Sequence, residues 1–147
     1  MAINFFHQDC DFSLPQKQLT KKWIKNVIQS NGFKLGTINY IFCSDKEILK
    51  INLEYLNHNY YTDIITFPYI QNNIISSDIF ISIDTVRSNS EKYKQNFANE
   101  LNRVIIHGVL HLVGFKDKSP EEIAGMRREE EKCLKFFTEL KNNVDKL

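Results

Sequence analysis

The segment from Ala98 to Val113 constrains the fold more than any other. It reads as a helix that carries two histidines four residues apart, so both imidazoles project from one face about one turn apart. The rest of the chain supplies strands and further helices. Gly114 is placed to end the helix, since glycine takes the left-handed turn at little steric cost.

Upstream, AINFFH (2–7) reads as a strand, and Leu19, Trp23, Ile24, Val27 and Ile28 fall on one face of a helix near 15–31. Ser13 or Pro15 is the expected start of that helix and Gly32 its stop, with Lys17, Lys21, Lys22 and Lys25 mostly off the apolar stripe. TINYIFCS (37–44) is strand-like, and Ser44 with Glu47 forms a capping-box signature for a helix to about Leu56. DIITFPY (63–69) and DIFISID (78–84) are two more strands. Asp84 is expected to cap a polar helix to about Phe97. Ser119, Pro120 and Glu122 open a last helix to about Leu140, with Ile123, Met126, Leu134, Phe137 and Leu140 on its apolar face. The order β-α-β-α-β-β-α-α-α predicts an α+β fold, a mixed sheet packed with helices. With 147 residues and no repeat or linker, it is one domain spanning 1–147.

Three cysteines, Cys10, Cys43 and Cys133, form no C-x-x-C pair, and an odd number makes a full disulfide framework unfavourable. They are expected to be reduced thiols in a cytoplasmic protein. Polar and acidic residues interrupt MAINFFHQDCDF, so neither a signal peptide nor a membrane partner is expected. A net charge of +1 neither announces nor excludes nucleic acid, because the distribution of charge matters more than its total.

HGVLHLVGFKD (107–117) carries the chemistry. His107 and His111 lie one helical turn apart on one face, a spacing at which both imidazoles reach one zinc ion at about 2.0–2.1 Å. After the turn at Gly114, Asp117 can add a carboxylate oxygen. Three ligands and no local cysteine favour one open, catalytic zinc site over a closed structural one. The spacing matches the extended zinc-protease site, but Gly108 stands where such a protease carries its general-base glutamate.

The same stretch resembles the signature of the YbeY-type endoribonucleases, H-G-x-L-H-L-x-G-[YF]-D-H, in all but its last two positions. TDIITFP (62–68) resembles that family's T-D-V-L-S-F-P, with Asn52 and Tyr55 at the expected places upstream. SDIFIS (77–82) resembles its G-D-I-x-I-S strand, and Glu100 stands where a glutamate commonly precedes the motif. The resemblance implies a zinc-dependent, single-strand-directed endoribonuclease of small-subunit rRNA maturation and ribosome quality control. Its partners would be an rRNA precursor and the ribosomal small subunit. It also implies an α+β fold with the metal at the end of a central helix in a basic cleft, and His107 and His111 as ligands. Asp117 replaces the family's third histidine, Lys116 its preceding aspartate, and Leu56 an arginine implicated in activity.

On this reading a metal-bound water is the expected reactive species and the general base is unassigned. Glu100 is either a support behind the ligands or a capping or salt-bridge residue. Asp63 and Asp78 are family-like positions that also suit a turn or strand end. Arg103, Lys116 and Lys118 are the RNA-binding candidates. His58 reads as a surface residue rather than a fourth ligand. Tyr60 and Tyr61 suit base stacking or loop anchoring. Two other functions fit the sequence: a non-catalytic ribosome- or rRNA-binding assembly factor with a structural metal, favoured by Leu56, and a metalloprotease-like hydrolase, opposed by Gly108.

Overall fold

The computed structural model describes residues 2–58 and 62–145. Its elements follow the expected order: β1 (Ala2–His7), α1 (Lys17–Ser30), β2 (Lys34–Cys43), α2 (Asp45–Leu56), β3 (Ile64–Gln71), β4 (Ile74–Ser82), α3 (Ile83–Lys92), α4 (Phe97–Leu112) and α5 (Pro120–Asp145). The sheet runs β1-β2-β4-β3. β2 is parallel to β1 and β4, while β3 returns antiparallel on the edge, so the sheet is mixed as expected.

One face of the sheet presents Ile38, Tyr40, Phe42, Ile75, Ile79 and Ile81, all buried with Ile105, Ile106, Val109 and Leu110 of α4 in the main core. The Tyr40 hydroxyl donates to the Ile105 carbonyl at 3.2 Å, tying the middle of the sheet to the middle of α4. Trp23 of α1, fully buried, donates its Nε1–H to the Cys133 carbonyl of α5 at 2.9 Å and meets Phe137 edge-on at 4.8 Å. These anchors leave α4 central, with α3 and α5 packed beside it. On the opposite face, α2 covers a smaller cluster of Cys43, Ile48, Ile51 and Ile65.

Local chemistry changes several boundaries. The first helix does not begin at Ser13 or Pro15. Gln16 takes a left-handed conformation, φ 55°, and the helix starts at Lys17 without a side-chain cap. Asp84 does not cap α3. Ser82 does, accepting from Thr85 N at 3.2 Å, while Asp84 Oδ2 accepts from Asp45 N and serves the start of α2. That helix ends at Lys92, short of Phe97, and Asn96 caps α4 by accepting from Asn99 N at 2.7 Å. β2 starts before Thr37 because Lys34 and Leu35 pair with Ile74 and Ile75 ahead of a register shift. The Ser119 box is complete: Glu122 N donates to Ser119 Oγ at 3.1 Å and Ser119 N to Glu122 Oε1 at 2.9 Å. Among the described residues, no helix is long and apolar enough to cross a membrane.

Candidate metal centre

α4 ends at Leu112 with Val113 as its C-cap, and Gly114 turns the chain with φ 108°. The turn brings Phe115 back against the helix, where its N–H donates to the Leu110 carbonyl at 3.0 Å. Two residues on, Asp117 faces the histidines. His107 Nε2 and His111 Nε2 are 3.0 Å apart, and Asp117 Oδ2 lies 3.3 Å from the first and 3.2 Å from the second. These three residues are the group of potential metal ligands found among the described residues, and all are partly buried. His58 is exposed and stands outside that group.

Hydrogen bonding behind the ligands fixes what those three atoms are. His107 Nδ1 is 2.6 Å from Glu130 Oε2, and His111 Nδ1 is 3.0 Å from the Phe115 carbonyl. Carboxylate and carbonyl oxygens only accept, so each Nδ1 carries a proton, and a ring that holds no second proton turns a bare Nε2 toward the other. In that form three electron-pair donors converge with no hydrogen among them, an arrangement that a cation relieves. Donors about 2.0–2.1 Å from one ion in a tetrahedron stand about 3.3–3.4 Å apart, close to the spacing here. The residues fit a divalent metal, which His107, His111 and Asp117 could hold from three sides.

Glu130 was not among the residues singled out from the sequence. It projects from α5, is only 5% exposed, and is held by Arg103 Nη1 at 3.1 Å. Burial pushes its carboxyl up, but the His107 hydrogen bond and Arg103 overcome this and leave it below its ordinary value. Burial likewise pulls the His107 imidazole down, yet the bond to Glu130, with the charges of Glu130, Asp117 and Asp63, leaves it raised. A carboxylate bonded to the rear nitrogen of a metal-binding histidine fixes its tautomer and ring orientation and increases its basicity.

The other sequence candidates separate into groups. Arg103 lines the site, with Nη2 2.5 Å from Glu131 Oε1 as well as Nη1 on Glu130, so both terminal nitrogens are occupied by carboxylates. Glu100 is buried and 3.8 Å from Arg103 Nε; burial pushes its carboxyl up. Asp63, just before β3, shares a cavity with Glu100, Arg103 and His107, and burial raises its carboxyl too. Asp78 is elsewhere, on the opposite face of the sheet, accepting from Asn39 Nδ2 at 3.0 Å. Lys116 and Lys118 are exposed on either side of Asp117. Leu56 is the last residue of α2 and 40% exposed. Tyr60 and Tyr61 lie outside the described residues.

Gly108 faces away from the ligands. A Cβ there would meet Ile64 Cδ1 at 2.9 Å, Ile79 Cδ1 at 3.5 Å and Thr66 Oγ1 at 3.7 Å. The position that holds the base in a zinc protease is here pressed against the sheet.

Comparison with known proteins gives the family. The family model described as endoribonuclease YbeY matches residues 3–138. The chain belongs to the YbeY family. A protein named endoribonuclease YbeY in Parabacteroides distasonis is 48% identical over 139 residues, covering 95% of this chain and 98% of the relative. Another of that name in Phocaeicola vulgatus is 54% identical over 123 residues, covering 84% and 89%. The solution structure of TM1509 from Thermotoga maritima, 24% identical, superposes with a TM-score of 0.66 over 97% of this chain and 93% of that one. The α+β fold expected from the sequence is thus also the fold of this neighbour.

Proposed function

We propose that this chain is a zinc-dependent endoribonuclease that cleaves single-stranded RNA in small-subunit rRNA maturation and ribosome quality control. The observation that carries the proposal is the convergence of His107 Nε2, His111 Nε2 and Asp117 Oδ2, three acceptors at an accessible helix end. The relatives' name supplies the class of substrate. Zinc suits two imidazoles and a carboxylate, and when bound it supplies Lewis acidity to a phosphate and a nucleophile near neutral pH.

The chain's own residues have separable tasks in this reading. His107 and His111 present Nε2 because Glu130 and the Phe115 carbonyl hold their Nδ1–H groups. Asp117 closes the ligand set and makes it one unit more negative than a third histidine would. Exposed Lys116 and Lys118 attract RNA phosphates to the ligand loop. Arg103 acts at the RNA cleft chiefly by holding Glu130, since its terminal nitrogens are already paired.

Cleavage of single-stranded rRNA fragments by the wild type and by His107→Ala, with the metal content of each measured, is the test. The expected result is metal and cleavage in the wild type and the loss of both in the variant. Leu56 favours a second reading, a non-catalytic small-subunit or rRNA-binding assembly factor, because a partly exposed leucine cannot replace an arginine's charge. Metal-loaded protein that binds small subunits but cuts no RNA establishes that reading instead.

A further inference from the structure

Beside His107 lies a cavity of about 370 Å³, lined among others by Asp63, Tyr93, Gln95, Glu100 and Arg127. This is within the roughly 300–1,000 Å³ range of small-molecule sites. Its chemistry is unlike that of a phosphate site. Arg103 has both terminal nitrogens on Glu130 and Glu131, and the remaining guanidinium, Arg127, is itself 3.8 Å from Glu130. Asp63, Glu100 and Glu130 would repel a phosphate from the interior.

What the cavity offers is hydrogen-bond acceptors and a ring. Glu100 is only 6% exposed, and its carboxylate makes no hydrogen bond among the described residues. Its nearest cation, Arg103 Nε, is at 3.8 Å, outside hydrogen-bond range. A buried carboxylate facing a cavity without a donor is a place for a ligand's N–H groups. Tyr93, in the lining, is 57% exposed and offers a ring for stacking, with Lys92 Nζ 5.4 Å from its centroid. Gln95, also in the lining, accepts from Asn99 through Oε1 at 2.8 Å.

We propose that this cavity is a nucleobase subsite for one amino-bearing base of an RNA strand, with its ring on Tyr93 and its N–H donors on Glu100 and Asp63. Single-stranded RNA is read in this way, by stacking on an aromatic side chain and hydrogen bonds to the exposed base edge. Cytosine and uracil share a ring but differ in the groups that matter: cytosine donates from its amino group where uracil carries a carbonyl. The cytosine amino group can give one N–H to each carboxylate, whereas uracil has the single N3–H and sets its O4 carbonyl against the other carboxylate, so the pair favours cytosine. The proposal rests on the endoribonuclease reading for its ligand, RNA, but not for its measurement.

The test is binding of fluorescently labelled 2′-O-methyl tetracytidylate and tetrauridylate to the metal-loaded full chain, followed by anisotropy. Cytidylate should bind about tenfold tighter, the value of one good base-edge contact. Glu100→Gln should close that gap, because the carboxamide donates to the uracil carbonyl as readily as it accepts from the cytosine amino group. Tyr93→Ala should weaken both oligonucleotides about tenfold without changing their ratio. Equal affinities in the wild type, no binding of either, or a preference that survives Glu100→Gln overturns the subsite. Should Glu100→Gln fail to fold, Asp63→Asn serves as the second variant with the same expectation. A protein that shows the preference but cuts no RNA retains the subsite and loses the nuclease assignment. One that cuts RNA with no preference in binding does the reverse.

Discussion

Glu130 Oε2 lies 2.6 Å from His107 Nδ1, so a residue of α5 determines which nitrogen of an α4 histidine faces the metal position. Glu130→Gln keeps an acceptor of the same shape but removes the charge. It should weaken zinc binding about 10–100-fold, the usual effect of losing such a partner. Competition for zinc against a chelating dye measures this, with circular dichroism confirming unchanged helix content. Glu130→Ala should in addition cost about 2 kcal/mol in a denaturant melt, because the largely buried guanidinium of Arg103 loses one of its two carboxylate hydrogen bonds and keeps only that to Glu131. Undiminished zinc affinity in both variants would remove Glu130 from the site.

That residue was legible in principle. Met126, Glu130 and Leu134 are spaced four apart, so Glu130 sits in the apolar stripe of α5, where an unpaired charge would be costly. Reading the helix for its apolar members alone passes over the one charged member of the stripe. The ligand loop was legible because its geometry is local: one helical turn, a glycine, and a carboxylate three residues later. Element order was legible for the same reason. Strand pairing was not, since the sheet joins β2 to β4 across α2 and β3, and no local pattern encodes that choice. Ser44 caps α2 as its capping-box signature predicts, whereas the cap of α3 was misread because Ser82 and Asp84 both suit an N-cap. What decides between them is a tertiary contact, Asp45 N to Asp84 Oδ2 at 2.9 Å.

Gly108→Glu would complete the zinc-protease motif, and the structure sets the outcome. The new side chain would enter against Ile64, Ile79 and Thr66, not toward the metal ligands. Overpacking and a buried unpaired carboxylate together should cost about 3 kcal/mol or more. Gly108→Ala should stay within about 1 kcal/mol of the wild type. Its better helix propensity offsets the close approach to the flexible end of Ile64. Denaturant midpoints of the two variants check both values, and a casein assay on Gly108→Glu should show no gained proteolysis.

The thiols set an alkaline limit. Burial pushes Cys43 up to about 12 and Cys133 up to about 11, while the unfolded thiols titrate near the ordinary 9.0. The unfolded chain therefore loses these protons first, and stability should fall as pH rises above about 9. The loss should end as the folded thiols titrate in turn, near 11 for Cys133 and near 12 for Cys43. Chemical denaturation between pH 8 and 11 reads this slope. Alkylation of the native protein at pH 8 should label Cys10, which is partly exposed, and spare the two buried thiols until denaturant is added. Equal labelling of all three in the native state would contradict the burial.

Asp117→His tests the ligand set most directly. Asp117 Oδ2 stands within 3.3 Å of both imidazole nitrogens, at the end of a loop whose turn at Gly114 is independent of the side chain at 117. Either side chain can ligate, so the variant should fold and hold one zinc ion per chain. Its charge is the difference. A neutral imidazole leaves the centre about one unit more positive, which favours ionisation of the attacking group. The pH of half-maximal RNA cleavage should therefore move down in the variant relative to the wild type. Zinc content and a pH–rate profile, measured side by side, separate the two parts. Loss of metal from Asp117→His would show that position 117 does not complete the site. Retained metal with an upward or absent shift would show that its charge does not govern the reaction.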